Sequence, residues 1–257
     1  MSLQKNGKLK LLYRTLPEKV AVPSSWLREQ GYSTQLISKY VTQGILQKLG
    51  RGLYARSEVE PDWKGVMVGV QQFAGLAVYV GGLSALNLQG FAHYLPLSRK
   101  ERIALYSQKN PPAWLKNIAS TFQFEFYKKP WFGDLGLKAY PSGIRDYEIQ
   151  ISSPERAILE LLYLVEKEGV TFTFVAEIFE NLTSLRPGLL NKLLQNCESV
   201  KVKRLFLYFC DRYNHPWSKY IEKDAVEIGT GKMQIAKNGK LDRTYLITVP
   251  RAQNDAG

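Results

Sequence analysis

Apolar residues recur at Leu9, Leu12, Tyr13 and Leu16, the three-and-four spacing of a helix over residues 8–16, and Pro17 ends it. Pro23-Ser24-Ser25 then offers N-cap chemistry for a short helix over 26–30, which Gly31 closes. Ser33 is the next candidate N-cap. Leu36, Ile37, Tyr40 and Val41 form a helical apolar face behind it, and Gly44 stops that helix. Residues 45–49 read as a strand, Gly50-Arg51-Gly52 as a tight turn and residues 53–56 as the returning strand. Helix, helix, turn, helix and hairpin within about 50 residues is the outline of a winged helix-turn-helix.

Residues 57–62, acidic and containing Pro61, read as a linker. Beyond it the pattern mixes periods. A buried helix is expected over 82–94, a strand over 102–107 and a short helical turn after Pro111-Pro112. Phe122, Phe124 and Phe126 alternate with Gln123, Glu125 and Tyr127, the period of a half-buried strand, and 147–151 is another candidate. Ser153 with Pro154 at the first helical position, or Ser152 with Glu155 as a capping box, starts a helix with its buried face at Ala157, Ile158, Leu161, Leu162 and Val165. Helical patterns cover 174–182, 187–195 and 200–212. A closing hairpin is expected from 232–236 and 243–249 around Asn238-Gly239. The fold class is therefore α+β: a winged helix-turn-helix over 1–60 and a larger mixed α/β domain over 61–257.

Charge sharpens this division. The 257-residue chain carries +12, yet residues 1–56 hold ten Lys and Arg against two acids, Glu18 and Glu29, a net of +8. A small basic head on a nearly balanced body points to a polyanion-binding module attached to something else. The face of the third helix opposite its apolar stripe carries Thr34, Gln35, Ser38, Lys39, Thr42 and Gln43, with no acid to repel phosphate. Gln35, Ser38 and Lys39 are the candidates for reading base edges. Ser33 and Thr34 lie at the helix N-terminus, where free N–H groups favour a phosphate. Lys48, Arg51 and Arg56 are the expected phosphate contacts of the hairpin. The partner class is double-stranded DNA, although winged helices also bind proteins.

Residues 65–98 contain no Asp, Glu, Lys or Arg, but their glycines, Gln71, Gln72, Asn87 and Gln89 break the apolar run a membrane span needs, so they are expected to form buried core. Two cysteines, Cys197 and Cys210, and a polar, basic start with no apolar run behind it point to the reducing cytoplasm. Neither His93 nor His215 has a partner at metal or catalytic spacing, and both read as structural. Gly229-Thr230-Gly231-Lys232 resembles half a P-loop but lacks its first glycine and its Ser or Thr. Gly82-Leu83-Ser84-Ala85-Leu86 lacks the second glycine of a nucleophile elbow. Asp62 and Glu125 offer no visibly paired carboxylates for a metal nuclease. No metal, no cofactor and no enzyme activity are therefore expected. Basic clusters remain at Lys201, Lys203 and Arg204 and at Lys232, Lys237, Lys240 and Arg243.

Five strings in order resemble the AbiEi family of antitoxins from bacterial type IV toxin–antitoxin and abortive-infection systems. They are Gly44-Ile45-Leu46-Gln47-Lys48-Leu49-Gly50-Arg51-Gly52-Leu53-Tyr54, Gly81-Gly82-Leu83-Ser84-Ala85-Leu86-Asn87-Leu88-Gln89-Gly90, Ser153-Pro154-Glu155-Arg156-Ala157, Arg204-Leu205-Phe206-Leu207 and Tyr245-Leu246-Ile247-Thr248-Val249-Pro250. The resemblance implies a head that binds inverted repeats in its own promoter as an autorepressor. It also implies a body that counteracts a co-encoded nucleotidyltransferase toxin without a stable complex. A palindromic operator suggests two copies on DNA, which need not be a dimer in solution: the chain is expected as a monomer in solution or a dimer on DNA. From charge alone, Lys201, Lys203, Arg204 and Lys232 are the candidates for antitoxicity. The alternative is a winged-helix regulator with a ligand-sensing second domain and no toxin partner.

Overall fold

A computed structural model describes residues 2–92, 100–116, 118, 120–128 and 131–251. His93 lies outside the described residues. In chain order the elements are α1 (Ser2–Thr15), β1 (Ala21–Pro23), α2 (Ser24–Glu29), α3 (Thr34–Thr42), β2 (Leu46–Gly50), β3 (Leu53–Arg56) and α4 (Trp63–Val68), which runs on into a π turn (Gly69–Phe73). β4 (Val78–Val80), α5 (Gly82–Leu88), β5 (Glu101–Ser107), α6 (Ala113–Lys116), β6 (Phe122–Tyr127), β7 (Leu137–Ile144) and β8 (Tyr147–Ser152) follow. The chain ends with α7 (Pro154–Leu164), α8 (Phe172–Glu180), α9 (Pro187–Asn196), α10 (Val200–Tyr213), β9 (Met233–Gln234), β10 (Lys240–Asp242) and β11 (Ile247–Val249). The described residues fall into two compact units, those within 1–79, 96–129 and 139–151 and those within 80–95, 130–138 and 152–257.

The first unit begins as a winged helix. β2 and β3 form the wing hairpin, and β1 pairs antiparallel with β3 in the order β1-β3-β2. α4 and the π turn lie against β1. A Cβ on Gly65 would sit 1.7 Å from the Lys19 carbonyl oxygen, and one on Gly69 1.6 Å from that of Ala21, so only glycine permits this approach. The unit continues into a five-stranded sheet of order β6-β5-β4-β8-β7, with β5 and β6 parallel from Glu101↔Phe122 to Tyr106↔Tyr127. Phe122 and Phe124 face its core, as their alternation predicts. Gln71 links the π turn to the sheet through the carbonyls of Val78 and Gln150 and the Gln150 N–H.

The second unit packs α5, α8, α9 and α10 around α7, which is buried on nearly every face. Phe172, Phe179, Phe206, Phe209 and Trp217 fill the centre in edge-on, stacked and tilted pairs. The uncharged stretch after residue 65 is divided among α4, the π turn, β4 and α5, with Val66, Met67, Val68, Val70, Val80, Ala85 and Leu86 buried. Among the described residues no helix is long and apolar enough to cross a membrane.

The closing segment differs from the expected hairpin. β9 pairs with β11 in parallel, Ile247 opposite Met233, and β10 is the antiparallel partner of β11. The chain reverses between β10 and β11, where the Tyr245 N–H donates to Asp242 Oδ1 at 2.8 Å and Leu246 takes a left-handed φ of 53°. This Asx-type turn reverses the chain between the paired strands β10 and β11, while Asn238, also left-handed at 57°, lies in the reversal between β9 and β10, which are not paired with each other.

Candidate nucleic-acid interface

α3 is held by its cap and its inner face. The Ser33 Oγ accepts the Leu36 N–H at 3.2 Å, so this hydroxyl closes the helix start. Ile37 and Tyr40 are buried, and the Tyr40 ring lies beside that of Tyr32. The Tyr32 hydroxyl donates to the Lys8 carbonyl at 3.0 Å, and Lys8 Nζ donates to the Gly31 carbonyl at 2.6 Å, which ties α1 to the turn before α3. What remains outside is the acid-free face. Ser33, Thr34, Gln35, Ser38, Lys39, Thr42 and Gln43 are all exposed. These side chains can meet base edges and phosphates without first displacing a protein partner's charge.

The wing presents Lys48 on β2 and Arg51 at its tip, both exposed. Gly52 takes a φ of 79°, and its carbonyl accepts the Ser24 N–H at 2.8 Å, so the turn is braced against the start of α2. Arg56 does not join this set. It is 8% exposed, its guanidinium donates to Glu58 at 3.0 Å and Glu18 at 3.3 Å, and it lies 4.3 Å over the Tyr13 ring. Its hydrogen bonds hold the Glu58 carboxyl below the usual range. Arg56 thus locks β3 to α1 and leaves Lys39, Lys48 and Arg51 as the cations of the candidate interface. No sequence signal marks Glu18 as its partner, because 38 residues separate them.

The basic residues of the second unit divide in the same way. Arg204 is 1% exposed and donates to the carbonyls of Ile228 (2.6 Å), Gly231 (2.5 Å) and Leu246 (3.2 Å). The glycine segment that resembles half a P-loop therefore offers Arg204 its Gly231 carbonyl, with that of Ile228 just before it. Lys201 is half-buried and donates to the carbonyls of Tyr163 and Val165 at the end of α7. Burial, with the Lys167 charge nearby, pulls its ammonium down to about 8. Lys203 is half-buried and Lys232 exposed.

The acids and nucleophiles weighed for catalysis have structural partners. Asp62 caps α4 through the Gly65 N–H at 2.9 Å, and Glu125 accepts from Tyr127 and Arg102. The His215 ring nitrogen lies 2.9 Å from the Phe179 carbonyl in an aromatic stack. Cys197 and Cys210 are buried and unbridged. Among the described residues no group of three His, Cys, Asp or Glu is placed to hold a metal.

Residues 5–97 match a family model described as a transcriptional regulator, the AbiEi antitoxin N-terminal domain. Residues 100–250 match one described as a transcriptional regulator, AbiEi antitoxin, of a type IV toxin–antitoxin system. The chain belongs to the AbiEi family. No curated protein matches it. A solved structure, the RV2827C protein from Mycobacterium tuberculosis, is similar in fold at 14% identity. That match covers 93% of this chain and 88% of the other, with a TM-score of 0.63.

The AbiEi-like strings have physical roles in this fold. In Ser153-Pro154-Glu155-Arg156-Ala157, Pro154 opens α7 and Ala157 packs in the core. Burial pushes the Glu155 carboxyl up, but three hydrogen bonds from Arg186, each 2.9 Å, outweigh this and hold it below the usual range. Arg156 donates to Glu160 and to the carbonyls of Gly133 and Leu135, all at 2.8 Å. Glu160 also accepts the Ser152 hydroxyl and the N–H of Gly82, the first residue of the Ala-Leu helix α5. The capping box considered for Ser152 and Glu155 is therefore not formed. The two motifs meet through one buried carboxylate.

Proposed function

We propose that this AbiEi protein is the antitoxin of a type IV system and acts in the cytoplasm. On this reading it represses its own promoter by binding inverted repeats through the winged helix over 1–60. The body beyond that module counteracts a co-encoded nucleotidyltransferase toxin without forming a stable complex and without enzymatic turnover. The observation that supports DNA docking best is the exposed, acid-free face of α3 beside Lys48 and Arg51. Gln35, Ser38 and Lys39 read bases, while Thr34, Lys48 and Arg51 meet phosphates.

Fluorescence anisotropy on the DNA upstream of the gene tests the docking. Arg51→Ala weakens binding to all sequences and lowers the salt slope by about one unit. Gln35→Ala costs about 1–3 kcal/mol on the operator and relaxes specificity. Wild-type behaviour of both variants across salt sinks the docking geometry. Co-expression with the adjacent gene tests antitoxicity. A harmless neighbour, or a toxic one that this chain never rescues, leaves the regulator without a toxin partner.

A further inference from the structure

A groove of about 800 Å³ opens on the second unit between the loop after α7 and the edge strand β9. Its volume falls within the roughly 300–1,000 Å³ of small-molecule sites. Lys167, Lys201, Lys237 and Arg251 line it, with Met233 and Ile235 among its apolar residues. Glu166 is the one acid in the lining, and its carboxylate also accepts the Phe172 N–H at 2.9 Å. The lining therefore carries three positive charges in excess. Lys201 is the most telling of the four. Its hydrogen-bond partners are carbonyls, its burial disfavours the charged form, and Lys167 adds a like charge. An ammonium in that setting gains more from an anion than a solvated lysine does, because the local dielectric is lower.

Two features select the kind of anion. Four cations spread around one groove suit several linked oxyanions better than one. The apolar lining has no use for a bare phosphate chain, but offers a surface to a flat, weakly polar ring. We propose that this groove binds a nucleoside polyphosphate, with its phosphates against Lys167, Lys201, Lys237 and Arg251 and its base against Met233 and Ile235. The inference does not depend on DNA binding by the winged helix, and the two are read in separate assays.

The test is isothermal titration calorimetry of the full chain at pH 7 with ATP, GTP and inorganic tripolyphosphate. Saturable binding of ATP or GTP at one site is expected, with tripolyphosphate weaker. Lys237→Gln and Arg251→Gln change exposed side chains, so the fold survives, and each is expected to weaken nucleotide binding about tenfold. Lys201→Gln is expected to do the same, with circular dichroism to verify that α7 and α10 persist. Absence of saturable nucleotide binding at millimolar concentration overturns the proposal. So does nucleotide binding that all three substitutions leave unchanged, or tripolyphosphate binding as tightly as ATP and GTP. A single-stranded RNA oligomer that binds through Lys237 and Arg251 where mononucleotides do not also overturns it, and makes the groove a nucleic-acid surface.

Discussion

Arg204→Ala separates a structural arginine from a functional one. The side chain is 1% exposed, and its guanidinium holds three carbonyls, two in the segment before β9 and one just before β11. Truncation leaves these acceptors facing a cavity. Each buried, unsatisfied polar group costs about 1–3 kcal/mol. Water entering the vacated space satisfies part of that need, and removing a desolvated charge offsets another part. The net loss is expected at about 3–5 kcal/mol, in the range for a broken buried charge network. For a domain of this size that corresponds to a melting temperature lower by roughly 6–20 °C. Arg204→Lys is expected to recover little, because an ammonium lacks the fork that spans three acceptors. Lys203→Ala, one residue away and half-buried, is expected to change stability by about 0.5 kcal/mol or less. Thermal unfolding by circular dichroism, run beside growth rescue of toxin-expressing cells, reads both quantities. If Arg204→Ala melts with the wild type yet loses rescue, the guanidinium presents its charge to a partner and the structural argument is wrong.

Two further outcomes follow from buried groups. Arg56→Ala is expected to lower the stability of the first unit while leaving the salt slope of DNA binding unchanged, because its charge is spent on Glu18 and Glu58; a slope lower by one unit returns it to the interface. Burial pushes the Cys210 thiol up to about 12 from its ordinary 9, so it is protonated in both states only well below pH 9, and the unfolded chain begins to release the proton at about pH 8. As pH rises through 9 toward 12 the unfolded chain loses the proton while the folded one keeps it, so the folded state loses stability over that range. Cys210→Ala, titrated with urea from pH 8 to 10.5, is expected to lack that part of the decline; an identical pH dependence in both proteins refutes the assignment.

The winged helix was legible because its signals are local. The apolar stripe of α3, the Ser33 cap and the glycines flanking Arg51 all lie within twenty residues, and each does in the structure what its spacing predicts. β1 was not legible. It is three residues long and exists because β3, more than thirty residues later, pairs with it. α4 and the π turn were hidden for a different reason. All of α4 but Lys64 is buried, so no polar face interrupts the apolar run to mark a period. β7 carries Pro141 and Gly143, which read as breakers, yet the Ser142 hydroxyl bonds the Tyr147 carbonyl at 2.6 Å and steadies the β7–β8 connection. Charge was legible only as a count. Arg56 and Arg204 look like surface cations in the sequence: Glu18 lies 38 residues from Arg56, although Glu58 is only two residues on, and the carbonyls that Arg204 holds lie 24 to 42 residues away.

That distinction bears on how strongly the head would grip DNA on the proposed reading. A net of +8 over residues 1–56 suggests many phosphate contacts. The structure removes Arg56 from that pool, gives Lys8 to the Gly31 carbonyl, and leaves Lys39, Lys48 and Arg51 on the exposed face of α3 and the wing. Three neutralised phosphates correspond to a slope of log K against log salt of about −3 for each bound copy, and about −5 to −6 for two copies on an inverted repeat. Binding would then depend on base reading by Gln35 and Ser38 more than on charge, which suits a repressor that must choose one operator among competing sites. Anisotropy titrations between 50 and 300 mM salt, with stoichiometry fixed by mass photometry, read the slope per copy. A value near −8 per copy means that cations outside α3 and the wing reach the backbone, and the three-cation interface fails.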